Sequence, residues 1–246
     1  MAFEPSEKTI LIVDDEVDLC EILQFDLEDA GFQTHSANQA YQALDLLQQY
    51  PIDLVISDIR MPGGDGIVLL DAIRKKDFQD PPVIFVSGFA DISVEEAYHR
   101  GVSGIFSKPL CSEKLLEYIQ LVLQTPMERW KRRSDWDQSP AFEISCKSLD
   151  DCKQNACVRL GRGGIFIRSE GKLPRPGDLI HIKCNIEDRH SQIEGLAICR
   201  WLRNRHISNA HVRGIGLEFM ELNDESIVLV TKHAESHQMI PYIPME

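Results

Sequence analysis

Asp53-Leu54-Val55-Ile56-Ser57-Asp58-Ile59-Arg60-Met61-Pro62-Gly63 decides the fold of the first half of the chain, because an apolar run delivers the Asp58 carboxylate to its end. Three companion runs finish in the same way. Ile10-Leu11-Ile12-Val13 ends at Asp14-Asp15-Glu16, Val83-Ile84-Phe85-Val86 ends at Ser87, and Gly104-Ile105-Phe106 leads to Ser107-Lys108-Pro109. Continuous apolar runs of this length suit parallel strands buried on both faces. Open parallel sheets carry their sites beyond the carboxyl ends of the strands. Three acids, a hydroxyl and a lysine are therefore expected to converge, with Asp58 as the candidate phosphate acceptor.

Helical periodicity fills the intervals between these runs. Leu19, Ile22, Leu23 and Leu27 recur at helical spacing before Gly31. Ala40, Ala43, Leu44 and Leu47 do so before Pro51, and Ile67, Leu70 and Ile73 after Gly66. Leu115, Leu116, Ile119, Val122 and Leu123 do so after Pro109. Alternating strand and helix units predict an α/β doubly wound sheet with right-handed crossovers.

The 246 residues are enough for two domains of ordinary size. The formal charge of −13 is uneven: residues 1–126 hold 22 acids against 8 Lys and Arg, a balance of −14, and residues 127–246 stand at +1. An acidic chain is a poor general nucleic-acid binder, so no direct DNA binding is expected. The seven cysteines, at 20, 111, 146, 152, 157, 184 and 199, form no CxxC pair and no zinc spacing. They read as reduced packing residues, Cys20 and Cys111 included, which favours the cytoplasm. No secretory signal and no membrane span is read.

Asp14-Asp15, Asp58, Ser87 and Lys108-Pro109, in this order and spacing and with the Met61-Pro62-Gly63 turn, resemble the receiver domain of a bacterial two-component response regulator. The resemblance covers residues 7–124 and implies a flavodoxin-like fold. It implies that Asp58 takes a phosphoryl group from a histidine kinase. It also implies that Asp14 and Asp15 hold magnesium with Asp58 and the Arg60 backbone carbonyl, and that Lys108 contacts the phosphoryl oxygens. Magnesium takes hard oxygen ligands, which suits this set. Ser87 and Phe106 resemble the family's switch pair; phenylalanine replaces the commoner tyrosine, keeping the ring and losing the phenolic hydrogen bond. A cis Lys108-Pro109 bond and a homodimer through the fourth and fifth helices follow from the same resemblance.

Near Pro126 the helical pattern breaks. Residues 125–140 read as a linker whose string Arg129-Trp130-Lys131-Arg132-Arg133 is basic. A solvated face or salt bridges to the acidic half is the plain explanation for that charge. Beyond residue 140 the period becomes two: Ile180, Ile182 and Cys184 face one way, His181 and Lys183 the other. Ala197-Cys199-Trp201 and Ile215-Leu217-Phe219 repeat the alternation, and Gly163-Gly164, Pro176-Gly177 and Asn204 to Asn209 are read as turns and loops. A small antiparallel β-barrel over residues 141–238 is expected, closed by a helix over 223–237 with Asn223 as N-cap.

Arg162-Gly163-Gly164-Ile165-Phe166-Ile167, Pro176-Gly177, Trp201 and Gly214-Ile215-Gly216-Leu217-Glu218-Phe219 resemble a PilZ domain. That resemblance implies cyclic di-GMP bound through an RxxxR segment, here Arg129 and Arg133, and a [D/N]xSxxG turn. The turn departs from the family: Arg159 and Gly161 replace its acceptor residues and only Gly164 remains. Two guanidiniums still suit phosphates, so weak cyclic di-GMP binding or a protein partner is expected as output, and no catalytic output. Two rival readings are a phosphorylation-independent scaffold and a haloacid-dehalogenase-like phosphatase. The latter needs DxD where this chain has Asp14-Asp15-Glu16.

Overall fold

Residues 10–13 leave no face for solvent, and the same holds for 54–58 and 83–87, so these segments pair side by side inside a layered unit. The computed structural model describes residues 4–62, 65–88, 92–136, 141–149, 158–168, 171, 173–188, 190–207 and 210–245, without the side chains of 204–207 and 210–212. The chain divides into two compact units: residues 1–93 with 100–124, and residues 94–99 with 125–246.

In the first unit, β1 (Thr9–Val13), α1 (Val17–Asp29), β2 (Gln33–Ala37), α2 (Ala40–Gln49), β3 (Leu54–Asp58), α3 (Gly66–Lys76) and β4 (Val83–Ser87) follow in order. After α4 (Val94–His99), which belongs to the second unit, β5 (Gly104–Ser107) and α5 (Ser112–Val122) complete it. The sheet order is β2-β1-β3-β4-β5 with every pair parallel. The doubly wound parallel sheet is the one expected of the apolar runs, and its order is the flavodoxin-like one that the resemblance implies. Leu23 and Leu27 of α1 and Leu115, Ile119 and Val122 of α5 bury against Ile10, Ile12, Ile56 and Ile84. Ile22 leaves the face that helical spacing gave it: it is 61% exposed, and Cys20 packs inward instead. Cys111, read as a packing residue, is exposed at the start of α5.

The second unit holds α4, α6 (Pro126–Arg129), β6 (Ala141–Cys146), β7 (Val158–Leu160), β8 (Gly164–Arg168), β9 (Leu179–Ile186), β10 (Ser191–Ile207), β11 (Ala210–Leu222) and α7 (Asp224–Ser236). Its sheet runs β6-β9-β10-β11-β8-β7. The expected antiparallel barrel is corrected here. β6 lies parallel to β9, and among the described residues the six strands form a curled, mixed half-barrel. Register shifts at Leu196/Ala197 and Cys199/Trp201 bend the β10–β11 hairpin, as bulges do. Residues 204–207 belong to β10 rather than to a loop, and 208–209 lie outside the described residues. The alternation of Ala197, Cys199, Trp201 and Ile215, Leu217, Phe219 is buried, and Ile227 and Val230 of α7 close over it. Asn223 caps α7 by accepting from the Ser226 amide at 2.8 Å. His181, read as facing away, is buried against Trp136 and meets Glu194 Oε1 at 3.2 Å.

Residues 125–136, read as linker, are built into this unit. Pro126 opens α6 behind the Thr125 cap, where a missing N–H costs nothing. Trp130 is 2% exposed and meets the Phe219 ring edge-on. Glu221 Oε2 then gathers the Arg133 and Ser134 amides, the Ser134 hydroxyl and the Trp136 indole N–H, at 2.9–3.3 Å.

Candidate functional site

Asp14, Asp15 and Asp58 each bring a carboxylate oxygen within 4.8 Å of the others at the carboxyl ends of the neighbouring strands β1 and β3. Lys108, just past β5, closes the group. Its Nζ donates to Asp14 Oδ2 at 2.8 Å, to Asp58 Oδ2 at 3.0 Å and to Glu16 Oε1 at 3.2 Å. The second Asp58 oxygen accepts from the Ile59 amide at 2.6 Å and the Arg60 amide at 3.3 Å. The nucleophilic candidate is thus held at both oxygens. Asp14 Oδ1 accepts from the Glu16 amide at 3.0 Å, which turns the first acid inward.

The backbone under Asp58 is set by close packing. Ser57 Oγ donates to the Asp58 carbonyl at 2.7 Å. A Cβ on Gly66 would lie 2.2 Å from that same carbonyl oxygen, so only glycine lets α3 start this near the acceptor strand.

Burial pushes the Asp14 carboxyl above the usual carboxylate range, opposed by its hydrogen bond from Lys108. For Lys108 burial works downward, but hydrogen bonds to Asp14 and Asp58 prevail and hold the ammonium above the ordinary lysine value. Cys20, whose thiol donates to the Asp14 carbonyl, is pushed up to about 11 by burial and then by the Asp14 charge. It stays a protonated packing thiol. The donor set fits magnesium: three clustered carboxylates are hard oxygen ligands, and one lysine does not balance them together with Glu16.

Ser87 ends β4 and is largely buried; its carbonyl accepts from the Lys108 amide at 2.8 Å. Phe106, between Val86 and the next helix, meets the Tyr118 ring edge-on at 5.4 Å. Tyr118 wedges over Gly104 and donates to the Ser103 carbonyl. The ring of the expected switch pair is therefore packed against α5. The Lys108-Pro109 bond is cis. Glu16, Ser57 and Gly66 were not read as site residues. Glu16 stood in the quoted Asp14-Asp15-Glu16 string, so its signal was present; Ser57 and Gly66 act through backbone proximity, which leaves none.

The residues read as a nucleotide site are engaged otherwise. Arg133 Nη1 donates to the Arg129 carbonyl at 3.3 Å and Nη2 to the Glu128 carbonyl at 2.9 Å, capping α6. The Arg129 side chain reaches the Tyr242 phenol. Arg159 lines a cavity of about 230 Å³ with Leu149, His233 and Met239. A Cβ on Gly164 would lie 2.2 Å from the Leu217 carbonyl oxygen, so this glycine serves strand packing.

Residues 10–120 match the family model described as the response regulator receiver domain. The regulatory protein AtoC of Escherichia coli (strain K12) is 31% identical over 169 residues, 65% of this chain and 36% of AtoC. The C4-dicarboxylate transport transcriptional regulatory protein DctD of Rhizobium meliloti is 37% identical over 110 residues, 44% of this chain and 24% of DctD. The chain thus spans about a third or less of the length of these two curated relatives. Among solved structures, the receiver domain of NtrX from Brucella abortus is 35% identical, covering 47% of this chain and 98% of that one with a TM-score of 0.43. Among the described residues no helix is long and apolar enough to cross a membrane.

Proposed function

With residues 10–120 a response regulator receiver domain, we propose that Asp58 accepts a phosphoryl group from a histidine kinase and that the second unit carries the output. The observation that supports this most is the convergence of Asp14, Asp15 and Asp58 on Lys108. A carboxylate oxygen of Asp58 attacks phosphorus, the phosphorus–nitrogen bond of the donor breaks, and the imidazole leaves. Lys108 follows the developing charge on the phosphoryl oxygens. Asp14, Asp15, Asp58 and the Arg60 carbonyl would hold magnesium, whose chemistry when bound is charge neutralisation. Ser87 turns its hydroxyl to the phosphoryl group, and Phe106 responds by repacking against Tyr118.

The output proceeds by binding rather than catalysis, in the cytoplasm, through a PilZ-like second unit. A protein partner is favoured over cyclic di-GMP, because Arg133 is committed to the α6 carbonyls and Arg159 stands where an acceptor is needed. Output through a receiver homodimer is not favoured, since Glu95, Ala97 and Tyr98 of α4 are buried. DctD is named as a transcriptional regulatory protein; that observation makes DNA the second reading.

Incubation with magnesium and acetyl phosphate, followed by intact-mass measurement, should show one added phosphoryl group that Asp58→Asn abolishes. Labelling that survives in Asp58→Asn refutes the acceptor assignment. Calorimetric titration with cyclic di-GMP should show weak or no binding, and tight binding would overturn the preference for a protein partner. Salt-sensitive binding of duplex DNA would move the output to the second reading.

A further inference from the structure

Strands β6 and β9 run parallel, with Ile144 opposite Cys184 and Cys146 opposite Ile186. Alternate residues of a strand line one face, so Cys146 and Cys184 share a face, one diagonal step apart. That face is the core of the second unit, where both side chains are buried with Ile182 and Ile186. The two thiols hydrogen-bond to each other.

The other buried cysteines among the described residues differ. Cys20 donates to the Asp14 carbonyl at 3.4 Å and Cys199 to the Trp201 carbonyl at 3.6 Å, and burial pushes each thiol up to about 11. At Cys146 the hydrogen bond from Cys184 prevails and moves the thiol below its ordinary value, against burial and the Asp188 and Glu187 charges. Cys184 is raised, first by its hydrogen bond to Cys146 and then by burial. The pair therefore ionises at Cys146 and keeps its proton on Cys184, and the thiolate is the reactive form of cysteine. Position gives the same order. Cys146 is the last residue of the edge strand β6 and keeps 7% exposure, whereas Cys184 is fully buried on β9, between β6 and β10.

We propose that Cys146 and Cys184 are a redox modification site, converted by hydrogen peroxide into an intramolecular disulfide that pins β6 to β9. The Cys146 sulfur attacks one peroxide oxygen, the O–O bond breaks, and the leaving hydroxide takes up a proton to become water. Cys146 is then a sulfenic acid. The Cys184 sulfur attacks the Cys146 sulfur, the S–O bond breaks, and a second water leaves with the Cys184 proton. The two thiols lose two electrons and two protons, and the peroxide takes up both. A disulfide needs Cα atoms within about 7 Å, and diagonal neighbours in a sheet start about 7–8 Å apart. β6 is the outermost strand of its sheet, so its last residue closes that gap without disturbing a second ladder.

The test treats the reduced full chain with hydrogen peroxide, alkylates the remaining thiols in urea and maps the peptides without reductant. A cross-linked Cys146–Cys184 peptide is expected, formed at least tenfold faster than the Cys20 and Cys199 thiols are lost and reversed by dithiothreitol. Cys184→Ala removes the second step, so dimedone should capture Cys146 as its sulfenic acid in that variant and far less in the parent. Hydrogen–deuterium exchange across 141–146 should slow at least tenfold in the bridged form. A bridge from Cys146 to Cys152 or Cys157, a bridge between two chains, or oxidation no faster than that of Cys20 and Cys199 overturns the proposal. The map of the parent decides this even where Cys184→Ala fails to fold. Unchanged exchange at 141–146 overturns the pinning of β6.

Discussion

Lys108→Met removes one cation from between three acids and keeps an unbranched stem of nearly the same length. Lys108 is 17% exposed, and its Asp14 and Asp58 partners are 4% and 11% exposed, so two of the three contacts are nearly buried. The Glu16 contact is at the surface, with that side chain 63% exposed, and adds little. Removing one partner of a buried pair costs about 3–5 kcal/mol. Part of this is relieved, because the Asp14 carboxyl is already raised by burial and can take up a proton. The expected loss is about 2–4 kcal/mol at pH 7 in EDTA, measured by urea unfolding.

Magnesium should return much of it, since a ligand that binds only the native state stabilises by about 2.7 kcal/mol at a hundredfold excess over its Kd. The variant should also bind magnesium more tightly than the parent, as the ammonium no longer competes for the same oxygens. A folded-state carboxyl held above its unfolded value loses stability as pH rises, so acidification should narrow the gap between variant and parent. A variant within about 0.5 kcal/mol of the parent in EDTA, or one with no larger response to magnesium, refutes the charge balance argued for this site.

Three further substitutions probe other parts of the molecule. Gly66→Ala should cost about 1–3 kcal/mol by overpacking and slow phosphoryl uptake, because its methyl meets the Asp58 carbonyl; unchanged urea unfolding and uptake would contradict that close approach. Burial, then the Glu218 charge, pushes the Tyr242 phenol up to about 12, against about 10 unfolded. Its stability contribution is complete well below pH 10 and falls by roughly 2 kcal/mol as pH rises to 12. Tyr98 is raised in the same direction by burial, so thermal melts between pH 9 and 11 should show Tyr242→Phe losing only its share of the decline. Glu221→Ala strips the acceptor from the Arg133 and Ser134 amides and the Trp136 indole. A loss of about 1–3 kcal/mol and altered Trp136 fluorescence are expected, and an unaltered melt would show the turn to be held by other contacts.

The first unit was legible because its chemistry sits where apolar runs stop. Strands buried on both faces carry a continuous signal, and β1, β3 and β4 lie where that signal placed them. β2 escaped because Gln33-Thr34-His35-Ser36-Ala37 is an edge strand with one buried residue and no apolar pattern. α4 escaped because six residues hold too few turns to show a period. In the second half, alternation found β9 and the two strands of the hairpin but not the order in which the sheet pairs. The parallel β6–β9 pair depends on contacts distant in sequence, which local periodicity does not encode. The basic string Arg129 to Arg133 read as a solvated segment because its one buried side chain, Trp130, is flanked by four cations. Arginine spacing alone likewise could not show that Arg133 turns back onto the carbonyls of α6.

Residues 94–99 belong with 125–246 although they lie, in sequence, inside the stretch that matches the receiver family. A gene fusion cut at residue 124 would therefore separate Glu95 from Arg203 and Tyr98 from Trp201 and Tyr242. Exchanging the first half for that of a relative would import a foreign α4 onto a surface shaped for this one. The two halves should accordingly be inherited as a matched set, with positions 95 and 98 changing in step with 201, 203 and 242 rather than with the rest of the receiver.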